Sequence, residues 1–237
     1  MRMKVIIMTI LLCGTIMLSG VTIFQIQFTT DEGRDNTFPS KYAGKAVTVE
    51  GIVAATGYKG GGFFISEPAG GAWRSIFIRS TNTNIKQGDK VVVRGTVDEY
   101  YGMTCIADVK NISIIDSHRP VPFANLITSG QITTAEQAES YECTLVKVQN
   151  TTCVQNQMGS SKFMINDGSG QCSISDNITT EPAKQYKSGA QFNSLTGIVC
   201  YAYGDYTINP RSRADVSVMV PVYNQNRSWG KIKSIYK

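Results

Sequence analysis

Lys90-Val91-Val92-Val93-Arg94-Gly95-Thr96-Val97-Asp98-Glu99-Tyr100-Tyr101-Gly102-Met103-Thr104 decides the fold. Its first ten residues, rich in valine, read as a strand. Tyr101-Gly102 then turns the chain into a second strand, Met103–Ala107. The same plan returns in Phe192–Ala202, Tyr203-Gly204 and Tyr206–Asn209. Gly95 and Gly197 are 102 positions apart, and so are the two Tyr-Gly turns. Self-similarity at that period points to duplicated domains, since solenoid repeats are shorter.

Further strands flank each copy. Ala46–Ala55 alternates around Val47, Val49, Ile52 and Val53, Phe63–Ser66 and Arg74–Arg79 follow, and Lys110–Ile115 completes the first set. In the second set Cys143–Gln149, Lys162–Ile165 and Gln171–Ser175 precede the Gly197 strand, and Ala214–Val220 closes the unit. Five short strands with a longer connection after the third fit a small Greek-key barrel of the OB type. An immunoglobulin-type sandwich needs about seven strands in such a length. The expected fold is therefore all-β: two tandem five-stranded OB-type barrels preceded by an N-terminal hydrophobic helix. The expected boundaries are 1–24 for the targeting segment, 25–42 for a polar linker and 43–117 for the first barrel. A connector spans 118–140, with a short helical candidate at Thr134–Ser140; the second barrel spans 141–220 and a basic tail 221–237.

Composition agrees. The 237 residues are 42% hydrophobic and 17% charged, which excludes a mostly disordered chain and a coiled coil. Six cysteines are too few for a disulfide scaffold. Arg2 and Lys4 precede an apolar run, Val5–Leu18, followed by Ser19 and Gly20. This is the pattern of a secretory signal peptide, and the apolar character continues far enough for an uncleaved anchor. Either reading exports the remainder. Cys13 follows Leu12, a poor lipidation context, and reads as an apolar helix residue. The net charge of +5 is mild, and part of the excess sits in the tail at Arg227, Lys231, Lys233 and Lys237.

The strings Val47–Val53, Gly62–Ile65, Gly88–Val97 and Glu99–Thr104 resemble the OB-fold domains that accompany secreted bacterial nucleases and nucleotidases. Phe163–Asp167 and Gly197–Pro210 carry the likeness into the second half. In those larger proteins a separate metal-dependent phosphoesterase domain does the chemistry, and this chain has no room for one. The resemblance implies an accessory, non-catalytic binding module.

No catalytic constellation emerges. The one histidine, His118, lies in Asp116-Ser117-His118-Arg119-Pro120, a loop between the units, so neither a multi-imidazole zinc site nor a metal cofactor is expected. Asp167-Gly168-Ser169-Gly170 lacks the spacing of a calcium loop and reads as a hairpin turn. Gly60-Gly61-Gly62 lacks the Lys-Ser/Thr of a phosphate loop. Cys143, Cys153, Cys172 and Cys200 are the disulfide candidates in an exported chain, against buried free thiols. The first strand of such a barrel neighbours the fourth, which favours Cys153–Cys200 or Cys143–Cys200.

An OB barrel takes its ligand on its second and third strands. That places Tyr58, Lys59, Phe64, Trp73, Arg74, Arg79 and Tyr101 at the face of the first unit, and Lys162, Tyr203, Tyr206, Arg211 and Arg213 at that of the second. Rings stack on bases and cations neutralise phosphate, so single-stranded nucleic acid or another extracellular polymer is the expected partner. The rival readings are a membrane-tethered structural or protein-interaction module and a minimal nuclease, which would need carboxylates converging on a metal.

Overall fold

The computed structural model describes residues 20–34, 36–82, 84–156, 161–179 and 186–219. The apolar run and the basic tail lie outside the described residues.

The first five strands are β1 (Ala46–Thr56), β2 (Phe63–Ser66), β3 (Ser75–Ile78), β4 (Lys90–Tyr100) and β5 (Met103–Asp116). They close into a barrel in the order β1-β2-β3-β5-β4. Alternate side chains explain the closure. Phe63, Ile65, Ile76, Ile78, Val91 and Val93 point into one buried cluster. Their neighbours Phe64 and Phe77 point outward, yet are fully buried in a second cluster. The expected break between Ala107 and Lys110 is an irregularity within one continuous β5, opposite Arg94 and Thr96.

The connector supplies β6 (Asn125–Leu126) and a short helix, α2 (Ala135–Ala138), within the expected helical span. Then come β7 (Leu145–Asn156), β8 (Lys162–Asn166), β9 (Gln171–Ser175), β10 (Gln191–Ala202), β11 (Asp205–Asn209) and β12 (Val216–Val218). They form one sheet, β12-β10-β11-β9-β8-β7-β6, with an added β10–β7 pairing. The pairings of β7–β11 thus repeat those of β1–β5, including the parallel contact of third strand with fifth. The repeat extends to single hydrogen bonds. Gly44 and Cys143 each donate their N–H across the seam between first and fourth strands, to the carbonyls of Val97 and Val199 (both 2.8 Å). Gly95 and Gly197 sit where strands approach too closely for a side chain: an added Cβ would meet Ala107 O in one case and Asn209 O in the other, both at 2.6 Å.

Residues 25–42, expected as a polar linker, are docked instead. A one-turn helix, α1 (Ile23–Gln27), is capped by Thr22 and inserts Ile23 and Ile26 into the core of the first barrel. Phe38 and Ser40 are also buried. Ile23, at the end of the expected targeting segment, and Ile26, among the polar letters after it, lie at helical spacing across the expected boundary.

The two units share one core. Phe64, Phe77, Met103 and Cys105 on the outer face of the first barrel pack into the cluster that contains Cys143, Cys200 and Tyr201. Polar links accompany the apolar ones. Lys59 N donates to Asn177 O (2.8 Å), Trp73 N to Ser140 O (2.7 Å) and Thr104 N to Glu142 Oε1 (3.0 Å). Burying one phenylalanine contributes about 1.5–3 kcal/mol. Separating the units would expose two, so the fused arrangement is favoured.

Candidate functional site

The two Tyr-Gly turns meet. Tyr101 and Gly102 have φ of 53° and 87°; Tyr203 and Gly204 have 54° and 85°. Both central positions being left-handed defines the two-residue hairpin turn that matches strand twist. Glycine adopts it freely, but a tyrosine there is strained. Each hairpin therefore bears a cost to hold a ring at its tip. Tyr101 is 55% exposed and Tyr203 80% exposed.

The rings form a row. The Arg79 guanidinium lies 4.8 Å from the Tyr100 ring centre, within cation–π reach. Tyr100 meets Tyr101 edge-on at 4.7 Å, and Tyr101 meets Tyr203 at 4.9 Å. The row continues inward through Phe77 (5.9 Å from Tyr100) to Phe64 (5.1 Å further). Its inner end is core and its outer end is in water. The Tyr203 hydroxyl keeps its proton to donate to Tyr101, which raises its pKa and ties the two turns together. Beside Arg79 opens a cleft of about 820 Å³, lined in part by Gly60, Gly61, Thr81, Asp98 and Asp108. Among the described residues of that lining Arg79 is the one cation, against the carboxylates of Asp98 and Asp108, a balance that does not favour a polyanion.

Of the expected face, the structure brings together Arg79, Tyr101 and Tyr203, with Tyr100 as the link that the sequence reading missed. Phe64 is fully buried, because the second unit covers the β2–β3 face. Tyr58 packs edge-on against Phe64 and Phe77 at 5.6 and 5.1 Å. Tyr206 is buried, and its hydroxyl donates to Glu139 Oε2 at 2.6 Å. Most of the cations are committed to carboxylates. Lys59 pairs with Asp176 (2.8 Å), Lys162 with Asp205 (2.6 Å) and Arg74 with Glu67. Arg211 grips Asp215 through two nitrogens at 2.9 Å and donates to Ala54 O. Trp73 is half-buried against Phe28, and Arg213 sits exposed in the 3-10 turn Arg213–Asp215. His118 is exposed, as a loop residue should be. Among the described residues no group of three His, Cys, Asp or Glu is placed to hold a metal ion.

The expected disulfides do not form: Cys105, Cys143, Cys153, Cys172 and Cys200 are buried free thiols. Register explains part of this. Cys153 and Cys172 both pair with Ile165, from opposite sides of β8. They are two strand spacings apart, about 10 Å, beyond the reach of about 7 Å that a bridge allows. Cys153 donates to Ala190 O, at the start of β10, whereas Cys200 lies ten positions further on. That separates them by roughly 30 Å of strand. Cys143 lies next to Cys200 across the seam, but the Cys200 thiol donates instead to Ile198 O. Burial pushes the Cys105 and Cys172 thiols up to about 12, leaving little thiolate at neutral pH.

The turn at 167–170 is a structural staple. Asp167 accepts from Ser129 N (2.9 Å), Ser129 Oγ (2.7 Å) and Ser169 N (3.0 Å). Partial burial works against the charge, but the hydrogen bonds from Ser169 and Ser129 win and hold this carboxyl at about 2.

No known protein family matches this chain, and no curated protein matches it. Solved structures that match it include two weak likenesses. One, described as "Molecular basis for abrogation of activation of pro-inflammatory cytokines", is 14% identical with a TM-score of 0.34, covering 77% of this chain and 97% of that one. The other, described as "Structural mimicry for functional antagonism", is 13% identical with a TM-score of 0.34, covering 75% and 93%. Neither likeness bears on function.

Proposed function

We propose that the chain is an exported, non-catalytic binding module built of two OB-type Greek-key barrels. Its ligand is single-stranded nucleic acid or another extracellular polymer, held by stacking on Tyr101 and Tyr203. The observation that carries this reading is the strained, paired presentation of these two rings in water, backed by Tyr100 and Arg79. Strain at a surface turn earns no packing energy, so it points to use. The paired cations and the carboxylates of the cleft imply stacking more than phosphate neutralisation. The test is binding of a fluorescein-labelled oligothymidylate at about 50 and 200 mM salt. The reading expects saturable binding at the lower salt with a shallow salt slope. No binding at about 50 mM salt eliminates the nucleic-acid form, and the same assay with soluble polysaccharides decides the other.

A second reading is a membrane-tethered protein-interaction module. It is favoured by Phe123, which is 98% exposed, and by Leu126, 67% exposed on the same connector. It expects a stable partner in crosslinked membrane extracts and no affinity for oligonucleotides. Under both readings the N-terminal apolar run exports the chain.

A further inference from the structure

The cleft beside Arg79 holds three charges with no counterpart in the second unit. Ile78 pairs with Ile106 as Ile174 pairs with Ile208, so Arg79 corresponds to Ser175. At the 102-residue period Asp98 corresponds to Cys200 and Asp108 to Pro210. The second unit builds the same strand pairings without any of the three. Its own surface charges are paired, Lys162 with Asp205 and Arg211 with Asp215. Arg79, Asp98 and Asp108 form no ion pair among the described residues.

Local structure opens these groups to solvent. The β4–β5 ladder steps from Arg94–Asn111 to Thr96–Ala107, so β5 bulges opposite Gly95, where the strands cross closely. The bulge takes Asp108 out of the ladder, with φ of 45°. Asp108 is exposed and makes no hydrogen bond among the described residues. Asp98 is exposed too and accepts at Oδ1 alone, from Glu99 N (2.9 Å). The rest of the lining is small or hydroxylic, with Ser80, Thr81 and Thr96 beside open backbone at Gly44 and Gly61, where an added Cβ would meet nothing within 4 Å. Its aliphatic members, Val97, Ala107 and Val109, belong to the packed cores, which leaves no apolar recess for a base or a peptide side chain among these residues. The tyrosine row borders this cleft at two points. Tyr100 stacks under Arg79, and its hydroxyl lies 3.1 Å from where a Gly60 Cβ would stand.

We infer that the polymer held at the ring row is an uncharged polysaccharide, with the cleft of Arg79, Asp98 and Asp108 taking its hydroxyls. This rests on the reading of Tyr101 and Tyr203 as stacking platforms. A sugar offers what both parts of the surface lack: C–H faces for the negative ring faces, and hydroxyls that donate to open carboxylates and accept from a guanidinium. Hydrogen bonds to charged groups are the strong ones, so few are needed for orientation. A nucleic-acid strand fits worse, since it carries a phosphate on every nucleotide past two unpaired carboxylates and one cation. The usual ligand face of such a barrel, on its second and third strands, is covered by the second unit. The site has moved to the β4–β5 hairpin, where the extra charges stand.

The test is a titration of the full chain with labelled fragments of dextran, β-glucan, mannan and chitin, beside polygalacturonate and oligothymidylate. At least one of the four neutral glycans should bind saturably, equally well at about 50 and 200 mM salt, because no counterions are released. Polygalacturonate and oligothymidylate should bind more weakly. Asp98→Asn and Asp108→Asn keep the shape and remove the charge. Each should weaken the glycan about five-fold or more, with unchanged melting temperature, and neither should weaken oligothymidylate. Binding of oligothymidylate with none of the neutral glycans bound overturns the inference and leaves the stacking reading standing. Glycan binding that Tyr101→Ala abolishes but both asparagine variants leave intact removes the cleft from the site, and overturns it likewise. Binding of none of the six polymers overturns both the inference and the reading beneath it.

Discussion

Gly102 lies against Tyr201: a Cβ added to Gly102 would run into the Tyr201 ring, whereas one added to its counterpart Gly204 would meet nothing within 4 Å. The two glycines have the same turn role and nearly the same φ. They differ in what surrounds them, because the first hairpin is pressed against the second unit and the second hairpin projects past it.

Gly204→Ala should therefore cost only the left-handed penalty, about 1–2 kcal/mol. Gly102→Ala should cost that plus the clash with Tyr201, and should loosen the junction. Thermal melts of the two variants, with limited proteolysis between the units, check the difference. Equal losses would mean that the hairpin does not press on the second unit.

Tyr101→Ala and Tyr203→Ala should weaken polymer binding with little loss of stability, since both rings are largely exposed. A stacked base is worth about 1–3 kcal/mol, or roughly 5- to 150-fold in affinity for each ring. Arg211→Ala should act the other way: unchanged affinity but reduced stability, because its cation serves Asp215 and Ala54. Anisotropy titrations paired with melts separate the two classes.

Stability should peak in mild acid. Burial holds the Glu139 carboxyl up to about 8, against a model-peptide value of 4.5. Between those values the folded state keeps a proton that the unfolded chain has lost, so stability falls as pH rises through that range. Asp167 has the opposite sign. Its carboxyl is held at about 2, below its ordinary 3.8, so its contribution is lost as pH falls through the range between them. Melting temperatures across pH 2–9 should be highest near pH 4–5. Tyr206→Phe removes the donor to Glu139 and should steepen the alkaline fall. A flat profile would show that these carboxyls are not held as the structure places them.

Dithiothreitol should leave the melting temperature unchanged, because none of the five described cysteines is bridged. Ellman's reagent should react slowly with the native protein and rapidly once it is unfolded. A fall in melting temperature on reduction would contradict the free thiols.

The positions of the strands and the two turns were legible in the sequence because they rest on local signals: alternation around Val47 and Val49, Gly95 and Gly197, and the Tyr-Gly pairs. What one unit does to the other was not. Phe64 and Phe77 occupy outward positions of short strands, where an isolated barrel would offer them to a ligand, and only the second unit makes them core. Glu139 and Glu142 look like surface residues in Ala135–Glu142, since burial of a carboxyl depends on partners far along the chain, Thr104, Tyr206 and Gln27. Tyr100 escaped notice because its neighbour Tyr101 marked the turn, whereas Tyr100 joins Arg79 to that turn only in three dimensions.

The tip of the ring row is the most direct place to look for the ligand. Two-dimensional NMR of tyrosine ring protons, followed as an oligothymidylate or a soluble polysaccharide is added, reports each ring separately. Shifts concentrated on Tyr101 and Tyr203, smaller at Tyr100 and absent at the buried Tyr206, are the predicted result. Saturable binding that leaves both exposed rings unmoved, or no binding of either polymer class, would contradict it.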